Sequence, residues 1–374
     1  MRLLAILLST LLLATACSES GANSNNNSGD SSLKIDPALV ATQLERKPFY
    51  ERNPQSSAPS FEIASPKFRL EHTGYGDNYG TFTLDFPSES CKRIILEYTM
   101  CCEGKRPADY DNTTIFFVKD KTTEEWHEIA RAFTPFGGFF ESDWTKKFYL
   151  DITEFQTLLS GSTEFRYYYG GFDAREDMAH AVSLKFILYK GEPEHKLIAV
   201  NNIYDSATTD NSGNRAWVYG IESHDIEAEE RLGLRNVTIP DGTKRIELRL
   251  SITGHGHDQG TFPDLGTTAV NAAEFDENIY TIYINGTKQA QQGRIFYSNA
   301  DNYPQKGTYN YDRANWAPGN PANVHYWSIE PIAIAEDSFT IDIDLQRFIS
   351  QFNTPSDNDG VARYIVQGDL FFYQ

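Results

Sequence analysis

The sequence predicts an all-β protein made of two adjacent, eight-stranded antiparallel sandwiches, and three observations support this. Short segments rich in β-branched and aromatic residues, such as "KRIILEYTM" and "ARYIVQGDLFFY", recur between Gly, Pro, Asp and Asn residues. In "FTIDIDL" apolar and polar residues alternate strictly, which is typical of a half-buried strand. Helical patterns are weak, with one short candidate in "DITEFQTLL". Many short strands joined by turns favour sandwiches over layers of helices.

The division into domains follows from a polar break in the strand-rich sequence. The segment "KGEPEHK", residues 190–196, separates two strand-rich blocks of similar length. We therefore expect one domain over residues 61–192 and a second over residues 193–374. A ligand site would lie where the two sandwiches meet, because such sites form preferentially between domains.

The N-terminal residues predict export. Residues 1–16, "MRLLAILLSTLLLATA", combine an early arginine, an apolar run and small residues, as in a signal peptide. "LATAC" is similar to the bacterial lipoprotein signal, which predicts lipid attachment at Cys17 and an exported protein anchored to the bacterial envelope, at the outer membrane or cell surface. The alternative is an ordinary secretory signal that ends near a cysteine. Residues 17–60 begin with the polar "SESGANSNNNSGDSS" and read as a tether and stalk.

The net charge and the positions of the cysteines limit which ligands the protein could bind and which disulfides it could form. The formal net charge of -19 disfavours nucleic acid and anionic lipid surfaces, whereas a neutral sugar or peptide fits. Cys91 and Cys101 lie at opposite ends of one predicted strand, about 30 Å apart, so they should not pair. The adjacent Cys101 and Cys102 could form a strained disulfide or remain free thiols. The cysteines show no zinc-ligand spacing, and nothing in the sequence calls for a cofactor or for more than a monomer.

Three short patterns could carry chemistry. In "GHGH" the alternation of a strand places His255 and His257 on one face, where they could bind a metal weakly or hydrogen-bond a polar ligand. In "PADYDN" Asp111 could act as a base beside the ring of Tyr110, or simply belong to a turn. In "AAEFDEN" Glu274 is either a site carboxylate or a solvated acid.

Taken together, several segments resemble the bacterial peptide-N-glycosidase F family. They are "VKDKTTEEWHEIARAFTPFG", "LDITEFQTLLSGSTEF", "GEPEHKLIAV", "LRLSITGHGH", "AAEFDENIYTIYING" and "YDRANWAPG". Their order is kept from about residue 61 to the C-terminus. The resemblance implies two eight-stranded jelly rolls with the active site in the cleft between them. It also implies an amidohydrolase that releases whole N-linked glycans from glycoproteins or glycopeptides. The bond cleaved joins the innermost N-acetylglucosamine to asparagine, and aspartate is left.

The resemblance also assigns roles to individual residues. It implies that Asp111 is the principal catalytic carboxylate and that Glu274 holds the core sugars and helps to polarise the amide. The remaining aligned positions imply substrate binding by the following residues: Tyr110, His255, His257, Arg313 and Trp316. Tyr110 and His255 stand where the family has tryptophan. One departure concerns chemistry, because a second family glutamate aligns with Gly170, although Asp173 and Glu176 are nearby acids. Family cysteines are also replaced, by Pro107, Ala272, Asp276 and Ala317.

Two other functions stay open at this stage. A glycan-binding or peptide-binding surface lipoprotein of the same fold, with degenerate chemistry, would be consistent with Gly170. A copper-dependent peptide monooxygenase is suggested by "HGH", but it needs a later methionine ligand, and Met1, Met100 and Met178 all precede His255. The aromatic segment from Tyr303 to Gly319 is expected to line the cleft, the alternative being a packed structural loop.

Overall fold

The computed structural model describes residues 40–70, 78–171, 176–207, 217–219, 231–256, 273–286, 291–330, 337–346, 348 and 362–374. These residues lie within one compact unit. The predicted signal peptide, Cys17, the first part of the tether and His257 lie outside the described residues. Within the described part of the chain, no helix has the length and apolar character needed to cross a membrane.

The described elements are almost all strands, as predicted. In chain order they are β1 (Val40–Leu44), β2 (Phe61–Ala64), β3 (Phe68–Leu70), β4 (Asn78–Phe86), β5 (Cys91–Cys101), β6 (Thr113–Lys119), β7 (Trp126–Phe133), β8 (Thr145–Asp151), β9 (Gly161–Tyr169), β10 (His180–Lys190), β11 (Leu197–Tyr204), β12 (Trp217–Tyr219), β13 (Arg235–Thr238), β14 (Arg245–His255), β15 (Asn278–Ile284), β16 (Gln291–Ile295), β17 (His325–Glu330), β18 (Ser338–Leu345) and β19 (Arg363–Tyr373). Single 3-10 turns occur at Gly137–Phe139 and Thr153–Phe155, the second within the segment whose sequence suggested a short helix.

The first sandwich uses strands between residues 61 and 190. One sheet has the order β2-β10-β5-β8, with β3 also pairing with β10, and the other has the order β4-β9-β6-β7. All of these pairings are antiparallel. Aromatic side chains from both sheets fill the space between them; the rings of Phe116 and Phe165, for example, stack with centroids 5.3 Å apart.

The second sandwich pairs a sheet of order β1-β17-β14-β19-β11, in which β12 also pairs with β19, with a sheet of order β13-β18-β15-β16. Strand β18 shows how the sequence pattern produces the core. Phe339, Ile341 and Ile343 point inward and are buried, while Asp342 and Asp344 alternate with them. The strict alternation predicted from "FTIDIDL" is therefore present, and the all-β antiparallel architecture predicted from the sequence is confirmed.

The two sandwiches meet along β7, whose residues are all buried. The backbone N–H of Phe133 donates to Asn320 O at 3.0 Å, and the N–H of Ala322 donates to Arg131 O at 2.8 Å. A segment of the second sandwich thus forms hydrogen bonds with the backbone of β7, the edge strand of the first sandwich. These backbone groups of the edge strand would otherwise be unpaired. Arg249 adds donors at 3.0 and 2.9 Å to the carbonyl oxygens of Glu128 and Ile129.

A strap formed by residues 40–50 contacts both sandwiches. Its strand β1 extends the second sandwich by pairing with β17. Further along, Tyr50 exchanges two backbone hydrogen bonds of 2.9 Å with Tyr149 of the first sandwich. Between these points the Arg46 side chain pairs with the buried carboxylate of Glu247. The sequence predicted a tether and stalk over residues 17–60, but residues 40–50 are folded against the two sandwiches.

Candidate active site

Asp111, Glu274 and Arg313 converge where the two sandwiches meet. Nη2 of Arg313 lies 3.0 Å from Oδ2 of Asp111 and 3.8 Å from Oε1 of Glu274. The Arg313 side chain is fully buried, while those of Asp111 and Glu274 are 11% and 14% exposed. One buried cation thus holds two carboxylates, each of which retains an edge that faces solvent.

Arg313 is fixed by the loop that contains it. Thr308 folds back so that its carbonyl oxygen accepts from Nη1 at 3.0 Å and its hydroxyl accepts from Nη2 at 3.0 Å. The guanidinium carbon lies 4.6 Å from the ring centroids of both Phe275 and Trp316. The turn before Thr308 needs glycine, because Gly307 has a φ of 66° and a Cβ there would lie 2.6 Å from the Phe136 ring.

Glu274 is placed by backbone bonds to the same region. Its N–H donates to Gly256 O at 3.2 Å, and its carbonyl accepts from Ala314 N at 2.9 Å. Ala273 and Asn315 have φ values of 67° and 72°, which non-glycine residues seldom adopt. Such conformations persist where the surrounding structure enforces them, and they cluster at functional sites.

Asp111 has an unusual ionisation equilibrium. Burial, opposed by the charge of Arg313 and assisted by the charge of Glu274, raises the pKa of Asp111 to about 6. Its position is set by the next residue, since Asn112 N donates to Thr134 Oγ1 at 2.8 Å and Asn112 O accepts from Thr134 N at 3.0 Å. A carboxylate with a pKa near neutrality is a better proton acceptor than an ordinary aspartate.

Exposed aromatic rings border the carboxylates. Tyr110, next to Asp111, is 71% exposed, and Tyr311, two residues before Arg313, is 56% exposed. The Tyr311 ring packs edge-on against Phe275 at 6.0 Å. Exposed aromatic faces beside a polar site are suited to the apolar faces of sugar rings.

His255 and Trp316, predicted from the resemblance to bind substrate, are both buried, and the Arg313 guanidinium lies over the Trp316 ring. Trp316 donates from Nε1 to Gly254 O at 2.8 Å and stacks on Phe133 at 4.2 Å. His255 contacts Thr253 and stacks near Trp316. The contacts that the structure shows for these two side chains are internal, so a substrate contact for them stays a prediction.

The position aligned with the second family glutamate is an exposed glycine. Gly170 N donates to Thr113 O at 2.9 Å, which places Gly170 beside the strand that follows Asp111. A Cβ at Gly170 would lie 2.6 Å from Tyr168 Oη, so a side chain there requires Tyr168 to move. Of the nearby acids, Glu176 is exposed and Asp173 lies outside the described residues.

The segment from Tyr303 to Gly319 combines both expected roles. Tyr311 and Arg313 face the site, whereas Trp316 packs inward and Tyr303 stacks under the ammonium of Lys146 at 4.6 Å. Sequence reasoning missed Thr308, Phe275 and Phe136, because their contribution depends on how the loop folds back. The only signal for Thr308 was the glycine that precedes it.

The described part of the chain shows neither a cluster of metal-ligating residues nor a disulfide. It contains no group of three His, Cys, Asp or Glu residues arranged to hold a metal ion. Cys91, Cys101 and Cys102 are all free thiols, and burial raises the pKa of Cys102 to about 11. For Cys101 and Cys102 the structure shows the unpaired alternative.

Comparison with known proteins identifies the relatives of this chain. A family model described as "Peptide-N-glycosidase F, C terminal" matches residues 224–366. The peptide-N(4)-(N-acetyl-beta-D-glucosaminyl)asparagine amidase F of Elizabethkingia miricola is 32% identical over 244 residues, 64% of this chain and 64% of the relative. The chain is therefore similar to the peptide-N-glycosidase F family in sequence over these regions. The aligned region spans a little under two thirds of this relative, and the family model covers Glu274 and Arg313 but not Asp111.

Solved structures show that the fold is shared beyond the aligned sequence. A crystal structure of a peptide-N(4)-(N-acetyl-beta-D-glucosaminyl)asparagine amidase superposes with a TM-score of 0.63 at 24% identity, covering 84% of this chain and 96% of that one. PNGase F from Flavobacterium meningosepticum, described as a glycosylasparaginase, gives 0.61 at 22% identity, covering 83% and 96%. The arrangement of sandwiches is therefore that of the peptide-N-glycosidase F family.

Proposed function

We propose that the protein is a peptide-N-glycosidase, an amidohydrolase that releases whole N-linked glycans by hydrolysing the bond between N-acetylglucosamine and asparagine, leaving aspartate. The observation that carries this proposal is the cluster in which Arg313 contacts Asp111 and Glu274. The family relationship supports it, because a relative of 32% identity is an amidase of this name.

In this mechanism Asp111 acts as the general base. Water attacks the amide carbon while Asp111 accepts a proton from it, forming the new C–O bond. The pKa of about 6 keeps Asp111 ionised at neutral pH yet basic enough for this step. The C–N bond then breaks, the leaving amine takes up a proton, and the asparagine becomes aspartate.

In this proposal the positive charge of Arg313, held 3.0 Å from Asp111, stabilises the negative charge that develops on the amide oxygen. A charge that is already fixed and desolvated stabilises a developing oxyanion without reorganisation. Glu274, whose edge faces solvent beside Arg313, would accept hydrogen bonds from the core sugars, and Tyr110 and Tyr311 would pack on their faces.

The same proposal includes the location of the enzyme. Attachment of lipid at Cys17 would hold the exported protein at the bacterial envelope, with access to glycoproteins outside the cell. The basis is the sequence "LATAC" after an apolar run.

The test uses soluble protein beginning at residue 31, a short N-glycopeptide and a denatured N-glycoprotein. Mass spectrometry should show a gain of about 1 Da where glycosylated asparagine becomes aspartate, since NH is replaced by O. Asp111→Asn should abolish conversion, and Asp109→Asn, two residues away and outside the carboxylate cluster, should not.

A second function, glycan binding without catalysis, is favoured by one observation, the exposed Gly170 where the family has an acid. Saturable glycopeptide binding without conversion, across high-mannose, complex and core-fucosylated substrates, would replace the amidase proposal by this one.

A further inference from the structure

The indole of Trp316 is one of the groups that hold the guanidinium of Arg313, which lies 4.6 Å from the indole ring centroid. Its Nε1 donates to Gly254 O at 2.8 Å, and one neighbour is Phe133, stacked at 4.2 Å and 25°. A second ring neighbour is His255, at 5.5 Å and 26°. Because the Arg313 guanidinium sits 4.6 Å from this indole, a tilt of the indole would move the cation that pairs with Asp111.

His255 is held by a hydrogen bond to Thr253. Its Nε2 lies 2.8 Å from Thr253 Oγ1, and Arg131 Nη1 lies 2.6 Å from the same oxygen. A guanidinium only donates, so the Thr253 hydroxyl accepts from Arg131, and the same oxygen is also hydrogen-bonded to Nε2 of His255. The imidazole is thereby linked to Arg131 through one shared hydroxyl.

The first sandwich supplies the anchor for this bond. Arg131 on β7 pairs with Glu128 at 2.6 Å and donates to Ile365 O at 2.8 Å, and both members of the pair are fully buried. Burial and the charges of Arg363, Arg131 and Arg313 hold the pKa of His255 well below its usual range. The imidazole therefore stays neutral wherever the protein is folded at ordinary pH.

We propose that His255 is a positioning residue. Its imidazole supports the plane of Trp316 and so keeps Arg313 within hydrogen-bond distance of Asp111. A continuous series of contacts then runs from the Glu128–Arg131 pair, through Thr253, His255 and Trp316, to the carboxylate cluster. The activity consequences rest on the proposed amidase function, but the geometric claim does not.

The titration of Asp111 reports this geometry directly. The charged groups that face Asp111 are Arg313, which lowers its pKa, and Glu274, which raises it. If the Trp316 indole loses its support, Arg313 withdraws and the pKa of Asp111 rises. An opposite charge at this range is worth about 1–3 pKa units, so partial withdrawal should raise the midpoint by about one unit.

The experiment measures the Asp111 carboxyl ¹³C chemical shift against pH, assigned with Asp111→Asn, in the full soluble protein. His255→Gln, which is neutral but not aromatic, should raise the midpoint by about one unit. His255→Phe keeps an aromatic plane under Trp316 and should return the midpoint close to that of the native protein. His195→Gln, an exposed histidine outside this series of contacts, is the matched control.

Kinetics on an N-glycopeptide supply a second readout. Because Arg313 would be displaced in His255→Gln, this substitution should lower kcat about tenfold while KM changes little. A raised KM with an unshifted Asp111 midpoint would mean that His255 touches substrate, and it would overturn the proposal.

If His255→Gln does not fold, Thr253→Val replaces it and should shift the midpoint in the same direction. An unshifted midpoint would overturn the proposal there too. If the native protein hydrolyses no glycopeptide, the amidase proposal fails, but the titration still decides the role of His255.

Discussion

Oδ2 of Asp111 and Nη2 of Arg313 lie 3.0 Å apart although 202 positions separate the two residues in the chain. Asp111 precedes β6 of the first sandwich, and Arg313 lies in a loop of the second. The carboxylate cluster therefore exists only when the two sandwiches are docked. Stability at their interface and activity at the cluster should be linked.

Asp111→Asn should make the protein more stable at neutral pH. The folded pKa of about 6 exceeds the ordinary value of 3.8, so ionising Asp111 costs folding free energy. This cost grows as pH rises from 3.8 to 6 and is complete above that. Removing it should raise the free energy of unfolding by about 1–3 kcal/mol at pH 8 and by little at pH 4. Urea titrations at both pH values, with Asp109→Asn as control, measure this. A stability loss at pH 8 would contradict it.

The rate should depend on pH through the same group. Below about pH 6, Asp111 becomes protonated and cannot accept a proton from water. We expect kcat/KM on a glycopeptide to fall tenfold per pH unit on this acidic side, with a midpoint near 6. Measurement from pH 4 to pH 9 gives the midpoint, and a value near 4 would show that Asp111 titrates as an ordinary carboxyl.

The exposed tyrosines should contribute to binding rather than to the chemical step. Truncating Tyr110 or Tyr311 to alanine removes an aromatic face worth about 1 kcal/mol, so KM should rise about fivefold with kcat nearly unchanged. Tyr→Phe at each position keeps the face and serves as the matched control. Equal losses in the alanine and phenylalanine variants would indicate that the hydroxyl matters instead.

The interface between the sandwiches should weaken as pH rises. Burial lowers the pKa of His127, but the hydrogen bond and charge of Asp369, 2.8 Å away, outweigh burial and raise it above the ordinary 6.5. The stability gained from this pair is complete below pH 6.5 and is lost as pH rises through the folded pKa.

Asp369→Asn should accordingly cost more at pH 6 than at pH 9. Breaking a buried pair costs about 3 kcal/mol, which we expect at pH 6, and the loss at pH 9 should be smaller by about 1 kcal/mol or more. Urea unfolding at both pH values tests this, with the exposed Asp85→Asn as control. Equal losses at the two pH values would show that His127 is neutral in the folded protein.

The strap of residues 40–50 should contribute measurable stability. Arg46 pairs with Glu247, whose carboxylate is buried, and its guanidinium covers the Tyr326 ring at 4.4 Å. Arg46→Met keeps the apolar stem but leaves Glu247 with Arg245 alone, which should cost about 2 kcal/mol. Arg52→Met, on an exposed residue nearby, should cost almost nothing. Identical melting temperatures for the two variants would contradict a stabilising strap.

The buried face of a single strand could be predicted from the sequence, whereas contacts between segments far apart in the chain could not. The alternation in Phe339–Leu345 gave the face of β18, because strand periodicity depends only on neighbouring residues. The burial of His255 was not readable, since "GHGH" is equally compatible with an exposed pair. The role of Thr308 arises from a loop that folds back on itself, and no short pattern encodes it. Strand β1 was hidden within a segment that begins as polar low-complexity sequence.

Strand β1 also sets a distance. Because it fastens the chain to the second sandwich from Val40 onward, at most 22 residues separate the body from the proposed lipid site at Cys17. Fully extended, they span about 75 Å. The proposed amidase, if anchored at Cys17, could act only on glycoproteins that come within about that distance of the membrane. The position of strand β1 would set this limit.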